Sequence, residues 1–240
     1  MPMTKSIVII PTYNEKENIE DIIRKVFTLD DFSILIVDDG SPDGTGNIVK
    51  ELQEEYHDLH LLERKGKLGL GTAYIAGFKY CLEKKFDLIF EMDADFSHNP
   101  DDLVKLREAC LNGADLAVGS RYSNGVNVVN WAMYRVLLSY FAGIYVRFIT
   151  RMKIMDPTAG FICYKAEVLK KINLDKIKFI GYAFQIEMKF TAWKFGFDLR
   201  EVSIIFTDRT KGVSKMSGGI IKEAFFGVLA MKISSWFKKY

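Results

Sequence analysis

The sequence predicts an α/β fold with a mostly parallel central sheet. Through the first 120 residues, short apolar runs alternate with amphipathic stretches. Each run ends in polar or glycine-rich residues. The hydrophobic content, 49% of 240 residues, suits one sizeable core or one core with an appendage. Strands that alternate with helices make a sheet covered on both faces. Ligands of such sheets bind beyond the carboxyl ends of the strands, so chemistry is sought after each run.

The first strand is expected at Ile7–Ile10, and Pro11-Thr12-Tyr13-Asn14-Glu15 follows it. Ser6–Ile10 is too short for a secretory apolar core and reads as a strand instead. A helix over Glu17–Phe27 leads to a second strand at Ile34–Val37 and then to Asp38-Asp39-Gly40-Ser41-Pro42-Asp43-Gly44-Thr45. After a helix over Asn47–Tyr56, a third strand at His60–Leu62 ends in a loop from Lys65 to Thr72 that carries Gly69 and Gly71. The helix Thr72–Lys84 precedes a fourth strand, Leu88–Met92. The helix Asp101–Leu111, with Leu103, Leu106, Cys110 and Leu111 at helical spacing, precedes a fifth, Leu116–Val118, which runs into Gly119-Ser120-Arg121-Tyr122. One polar loop means little, but five on one edge make a site. The absence of Gly-x-Gly-x-x-Gly after the first strand argues against a dinucleotide-binding dehydrogenase.

The fourth loop carries the sharpest chemistry. Asp93 and Asp95 stand one residue apart where an apolar strand breaks off, and point the same way if the backbone stays extended. Two like charges so close repel, and a shared hard cation beside a phosphate is the usual reason to hold them together. Taken alone, the same residues read equally well as a solvated Asx-turn before the helix at Pro100.

From Val126 the pattern changes. Val128–Thr150 is nearly all apolar and aromatic, with Arg135 and Arg147 as its only charges. The 11 uncharged residues between them fall short of the roughly 17–25 needed to span a bilayer. Gly219–Tyr240 is similar, with Lys222, Lys232, Lys238 and Lys239 at the edges of an apolar stretch. Both are read as helices lying in a membrane interface, with ordinary docking onto the domain as the plainer reading. Between them come a tight turn at Asp156–Phe161 followed by a strand-like piece, a helix opening at Tyr182 and a strand over Leu199–Phe206. A basic loop from Thr207 to Met216 follows and is suited to closing over phosphates.

The formal net charge of +2 hides an uneven distribution. Residues 1–120 hold 13 basic and 23 acidic side chains, whereas residues 121–155 hold five basic ones and no acidic one. An anionic partner is expected for the second half. Nucleic acid is disfavoured because the basic residues are interleaved with apolar stretches better suited to lipid. Cys81, Cys110 and Cys163 form neither a zinc spacing nor a disulfide framework and are expected as buried thiols.

Eight motifs resemble those of dolichol-phosphate mannosyltransferases, the polyprenyl-phosphate branch of glycosyltransferase family 2. They are Pro-Thr-Tyr-Asn-Glu (11–15), Val-Asp-Asp-Gly-Ser-Pro-Asp-Gly-Thr (37–45), Lys-Leu-Gly-Leu-Gly-Thr-Ala-Tyr (67–74) and Met-Asp-Ala-Asp-Phe-Ser-His-Asn-Pro (92–100), then Gly-Ser-Arg-Tyr (119–122), Asp-Pro-Thr-Ala-Gly-Phe (156–161), Phe-Gln-Ile-Glu-Met (184–188) and Asp-Arg-x-x-Gly-x-Ser-Lys-Met (208–216). The resemblance covers nearly the whole chain, in order, and the loop from Arg209 to Lys215 is its most branch-specific part.

That resemblance implies a GT-A (Rossmann-like) fold and an inverting transfer of mannose from GDP-mannose to dolichyl or polyprenyl phosphate, giving a β-linked product. It implies that Pro11, Tyr13, Glu15, Val37 and Asp39 line the nucleotide pocket, with Asp93, Ala94 and Asp95 at the sugar diphosphate. Asp93 and Asp95 would hold Mg²⁺ or Mn²⁺, with Ser97 as a further metal contact where some relatives carry Gln. Arg121, Arg209 and Lys215 would handle phosphate groups, Asp95 included among the catalytic set, and Arg135 would sit near the lipid phosphate with Arg121. One catalytic domain is expected over 1–217, with an interface helix at about 128–150, and a C-terminal interface helix over 218–240. The chain resembles the short type, peripheral at the cytoplasmic face of a membrane, alone or through small membrane partner subunits. A UDP-glucose-dependent transferase on the same lipid, and a non-catalytic nucleotide-sugar-binding membrane module, are the alternatives.

Overall fold

The computed structural model describes residues 4–29, 31–209 and 218–237, with backbone alone for residue 182 and residues 218–224. The first half alternates as expected: β1 (Ser6–Thr12), α1 (Ile19–Phe27), β2 (Phe32–Asp38), α2 (Thr45–Glu55), β3 (Leu59–Glu63), α3 (Leu70–Glu83), β4 (Leu88–Glu91), α4 (Asp102–Leu111) and β5 (Leu116–Ser120). The second half continues with β6 (Val128–Val129), α5 (Met133–Thr150), β7 (Ile162–Lys165), α6 (Ala166–Lys171), α7 (Tyr182–Lys194), β8 (Leu199–Ser203), β9 (Phe206–Thr207) and α8 (Gly218–Ser234).

Seven strands form one sheet in the order β3-β2-β1-β4-β7-β5-β8. Only β7 runs against its neighbours. The carboxyl ends of β1 to β5 therefore share one edge, and the order reverses direction around β1, the usual place for a ligand crevice. The strand-like piece expected after residues 156–161 is β7, and its antiparallel direction is what the sequence reading lacks. Because it runs the other way, its amino end lies on that same edge and delivers the turn at residues 156–161 to it.

Strand period and helix period divide the core. In β1, Val8 and Ile10 pack with Ile22, Val26, Val49 and Leu106 on one face, whereas Ile7 and Ile9 pack with Tyr74, Phe78 and Met188 on the other. All four β1 side chains are fully buried, each stabilising the fold by roughly 1.5–3 kcal/mol. A third cluster joins α5, α7 and α8 through Val146, Ile186, Phe190, Val228 and Met231. The three cysteines are buried free thiols.

Two expected elements are corrected. The helix anticipated from residue 128 starts at Met133, because Val128–Val129 pairs with Phe206–Thr207 and Asn130 turns the chain through the left-handed region at φ 63°. The strand anticipated over Leu199–Phe206 is two. Residues up to Ser203 pair with β5, and the chain then leaves the sheet so that β9 can reach β6.

The approach of α3 to β1 sets a tight constraint. A Cβ on Gly77 would meet the Ile9 side chain at 2.9 Å. Alanine would gain about 1 kcal/mol of helix propensity but would overpack a filled core, which costs about 1–3 kcal/mol. The variant Gly77→Ala is expected to unfold at lower urea concentration with an unchanged m value, showing that packing outweighs propensity here.

Candidate active site

The strand-end loops are tied together before any ligand is considered. Asp38, at the end of β2, accepts hydrogen bonds at Oδ1 from Thr12 Oγ1 at 2.8 Å and Ser41 Oγ at 2.6 Å, and at Oδ2 from Ser41 N at 2.9 Å. Ser41 Oγ accepts in turn from Asn14 N, and Asp43 Oδ2 accepts from Lys16 N, each at 3.0 Å. Asp43 Oδ1 also accepts from Thr45 N at the start of α2, at 3.0 Å. Burial pushes the Asp43 carboxyl up, but these hydrogen bonds outweigh it and hold the group below its ordinary value. The first and second loops thus form one rigid wall.

Asp39 faces the opening. Its Oδ1 lies 2.9 Å from Arg64 Nε, and its Oδ2 accepts from Leu68 N at 3.3 Å. Burial still dominates and leaves its carboxyl above the usual range. Lys67 sits 5.2 Å over the Tyr13 ring. Through Arg64, whose Nη2 donates to Thr72 Oγ1 at 2.8 Å, the third loop and α3 join the same wall.

At the end of β4 the two carboxylates differ. Asp95 is buried, whereas the Asp93 side chain is 39% exposed. Both the backbone N–H and the hydroxyl of Ser97 donate to Asp95 Oδ1. Between Asp95 and Ser97, Phe96 holds φ at 59°, a strained left-handed turn for an aromatic residue, costing roughly 1–2 kcal/mol. His98, fully buried between Phe161 and Phe206, accepts from Asp93 N at 3.3 Å. Burial pushes its pKa down to about 4, so it is a neutral acceptor that fixes the loop.

Cations arrive from the second half. Arg209 Nη2 lies 2.9 Å from Asp95 Oδ2. The neighbouring Asp208 pairs with Arg135 at 2.9 Å, and Arg135 stacks 4.0 Å over the Trp131 ring. Short ladder bonds seat this segment: Asp208 N donates to Val129 O and Thr207 N to Ser97 O. Arg121 makes a buried bidentate pair with Asp156, 2.7 Å on each oxygen, and donates to Thr158 Oγ1 at 2.8 Å. Glu201 on β8 accepts from the Met155 and Asp156 backbone N–H groups and so sets the position of that turn.

These residues enclose a cavity of about 800 Å³. Pro11, Tyr13, Glu15, Asp39, Asp93, Ala94, Asp95, Arg121, Arg135 and Arg209 all line it. Three expected site residues do not join them. Val37 is fully buried in the core on the α3 face, because it still lies within β2 and the helix covers that face of the strand. Ser97, expected as a metal contact, is buried beneath Asp95 as its hydrogen-bond support. Lys215 lies outside the described residues. The lining also includes the apolar side chains of Leu138, Phe141 and Tyr145 on α5 and Phe225 on α8.

Several contributors had no assigned role in the sequence reading: Arg64, Lys67, His98, Trp131, Asp156, Asp208 and Gln185. The signal for some was their place in the motifs, although their partners lie far along the chain. Gln185 lines the cavity and donates through Nε2 to Glu91, which is fully buried. Lys189, also fully buried, donates to Ala159 O at 2.6 Å and Gln185 O at 3.0 Å. Burial pushes Glu91 up to about 8 and Lys189 down to about 7.

Comparison with known proteins identifies the family and the fold. The sequence model of glycosyl transferase family 2 matches residues 7–173. A polyprenol monophosphomannose synthase of Mycolicibacterium smegmatis is 46% identical over 237 residues, 98% of this chain and 88% of the relative. An undecaprenyl-phosphate mannosyltransferase of Micrococcus luteus is 43% identical over 92% of this chain and 91% of its own. Among solved structures, a mannosyltransferase of Pyrobaculum calidifontis in complex with GDP-Man and Mn²⁺ superposes over the whole chain with a TM-score of 0.63 at 16% identity. TarS of S. aureus, residues 1–349, superposes over 96% of the chain with a TM-score of 0.64 at 19% identity. This chain spans 66% and 65% of those two chains. The fold is thus of the GT-A type, that of nucleotide-sugar transferases. The chain belongs to glycosyl transferase family 2.

The Arg121–Asp156 pair gives a test of the site's foundations. Burial pushes the Asp156 carboxyl up, but the Arg121 charge and hydrogen bonds outweigh it and hold the group below its ordinary value. A depressed folded-state pKa contributes stability that is complete above the unfolded value and is lost as pH falls through the folded one. Asp156→Asn leaves the Arg121 charge buried and is expected to cost about 3–5 kcal/mol at pH 7. Urea unfolding at pH 7 and pH 3 is expected to show a smaller acid-dependent loss in the variant than in the parent.

Proposed function

We propose that this chain transfers mannose from GDP-mannose to a polyprenyl phosphate, with inversion at the anomeric carbon. One observation carries the reading: a single cavity is lined both by charged groups, Asp93, Asp95 and Arg209, and by apolar side chains of α5 and α8. A nucleotide sugar suits the first and a lipid chain the second. The names of the two bacterial relatives support mannose transfer to a polyprenyl phosphate, and the Pyrobaculum calidifontis complex with GDP-Man supports the donor.

In this reading Pro11, Tyr13, Glu15 and Asp39 receive the nucleotide, and Asp93, Ala94 and Asp95 receive the sugar diphosphate. Asp93 and Asp95 supply hard carboxylate oxygens, and Asp95 already holds a guanidinium at 2.9 Å. Among the described residues no group of three or more His, Cys, Asp or Glu is placed to hold a metal. Two carboxylates plus substrate phosphate oxygens are the ordinary surroundings of Mg²⁺, and the donor set here fits Mg²⁺ or Mn²⁺ in that way. When bound, the cation offsets charge building on the diphosphate leaving group.

The protein's own residues then position the acceptor. A phosphate monoester has a second pKa of about 6 and is largely a dianion at neutral pH, so no general base is assigned. Arg135, braced by Asp208 and Trp131, and Arg121, held by Asp156, present fixed positive charge to that dianion. Arg209 holds the diphosphate side, the role also assigned to Lys215. Such preorganised charge orients the nucleophile and offsets repulsion between the two phosphates.

The lipid reaches the cavity from a membrane. Tyr134, Phe141, Phe148, Trp236 and Phe237 on or after α5 and α8 are each at least 60% exposed. A row of this size reads as a membrane contact rather than as scattered surface. No helix among the described residues is long and apolar enough to cross a bilayer. Peripheral attachment to the cytoplasmic face is the location this reading assigns.

The direct assay is incubation with GDP-mannose or UDP-glucose, each radiolabelled, with Mg²⁺ or Mn²⁺ and a polyprenyl phosphate. Label is expected in the lipid fraction only from GDP-mannose, and label from UDP-glucose alone would overturn the donor assignment. Asp93→Ala and Asp95→Ala are each expected to abolish metal-dependent transfer. Arg209→Glu is expected to lower kcat/KM by at least about 10²-fold, while full turnover would remove this residue from the site.

A further inference from the structure

A second depression, about 440 Å³, lies at the other end of α5. Ile144, Arg147, Phe148, Arg151, Met152 and Lys153 line it. Ile144, Arg147, Phe148 and Arg151 follow at intervals of three and four, so they share one helix face. Ile144 and Phe148 are exposed and continue the apolar row of α5. Arg151 lies 5.2 Å over the Phe148 ring and closes the helix at φ 65°.

Arg147, Arg151 and Lys153 pair with no carboxylate among the described residues, and residues 121–155 contain no acidic side chain at all. Arg147 Nε is buried without a hydrogen-bond partner. The carboxyl end of a helix offsets only about half an elementary charge. Three cations therefore leave this depression positive, with one donor aimed at nothing the described residues supply. Arg135 is 12 residues away on the same helix, about 18 Å, too far for one acceptor phosphate to serve both ends.

We propose that this depression binds the headgroup of an anionic phospholipid, a lipid distinct from the acceptor. The inference rests on the membrane contact proposed above and names its partner at one end of α5. Charge complementarity selects the occupant. A headgroup phosphate satisfies Arg147 and Arg151, its acyl chains lie beside Ile144 and Phe148, and Lys153 meets the remaining negative charge. With Arg135 at one end and this site at the other, α5 is fixed along the membrane plane and the apolar lining of the active-site cavity is held against the lipid.

The test measures partition of the full chain onto phosphatidylcholine vesicles with and without phosphatidylglycerol. Stronger binding with phosphatidylglycerol, weakening as salt is raised, is expected. Basic residues near an anionic leaflet contribute about a factor of five each. Combining Arg147→Gln, Arg151→Gln and Lys153→Gln should therefore remove about 100-fold of the phosphatidylglycerol-dependent increment. Binding to phosphatidylcholine and transfer to a short-chain polyprenyl phosphate in detergent should be unchanged, which excludes misfolding. A companion carrying Arg147→Lys and Arg151→Lys should keep most of the increment. Equal binding of the parent to both vesicles, or an undiminished increment in the triple Gln variant, overturns the headgroup site and leaves the membrane contact standing. Binding to neither vesicle overturns both.

Discussion

Two carboxylates at the end of β4 set the terms for everything around them. Their mutual repulsion disfavours the loop unless positive charge stands nearby, and Arg209 provides it from more than a hundred residues along the chain. Holding Arg209 there requires β9, which requires β6, which requires the chain to leave the main sheet after Ser203. Beneath the pair, Ser97 and a neutral His98 spend their hydrogen bonds on orientation. The electrostatics of one short loop thereby explain a break in a strand, a two-residue ribbon and a strained Phe96.

The same reasoning separates what the sequence makes legible from what it does not. Strands β1 to β5 are local features: apolar runs closed by turn residues, with the loop chemistry directly after them. Pro11, Tyr13, Glu15, Asp39, Asp93 and Asp95 could therefore be placed on one edge by counting strands. Orientation within a strand is harder. Val37 still lies within β2 and is covered by the core on the α3 face, whereas Asp39, just past the strand's end at Asp38, reaches the cavity. Partnerships across long separations are harder still. Nothing near Arg121 in sequence announces Asp156 as its partner, and nothing near Asp208 announces Arg135. Ser97 matched a motif position, yet its short side chain stays under Asp95.

Charge distribution acquires a physical meaning at the level of the fold. The acidic first half supplies the rigid wall and the carboxylates Asp39, Asp93 and Asp95 that line the cavity. The basic, aromatic second half supplies Trp131, Arg135, Arg209 and the exposed row of α5. A net charge of +2 is the residue of two opposed surfaces, one suited to a soluble donor and the other to a lipid. Their junction is the cavity, where both kinds of residue are in view of one another.

The Arg121–Asp156 clasp also sets how freely the intervening chain can vary. Residues 122–155, including all of α5, leave the sheet and return to it, and the clasp joins the two ends of that excursion at 2.7 Å. Closing such an excursion costs free energy that grows only logarithmically with its length, about 0.6 kcal/mol per doubling for a flexible segment. Length changes between β6 and the turn at Asp156 therefore leave the sheet closed, whereas changes at Val128–Val129 or Arg135 reach the carboxylates through β9 and Asp208. The tolerant part of the arm is the exposed stretch of α5 beyond Arg135. Its modular boundary is drawn by two ties, the buried ion pair and the two-residue ribbon.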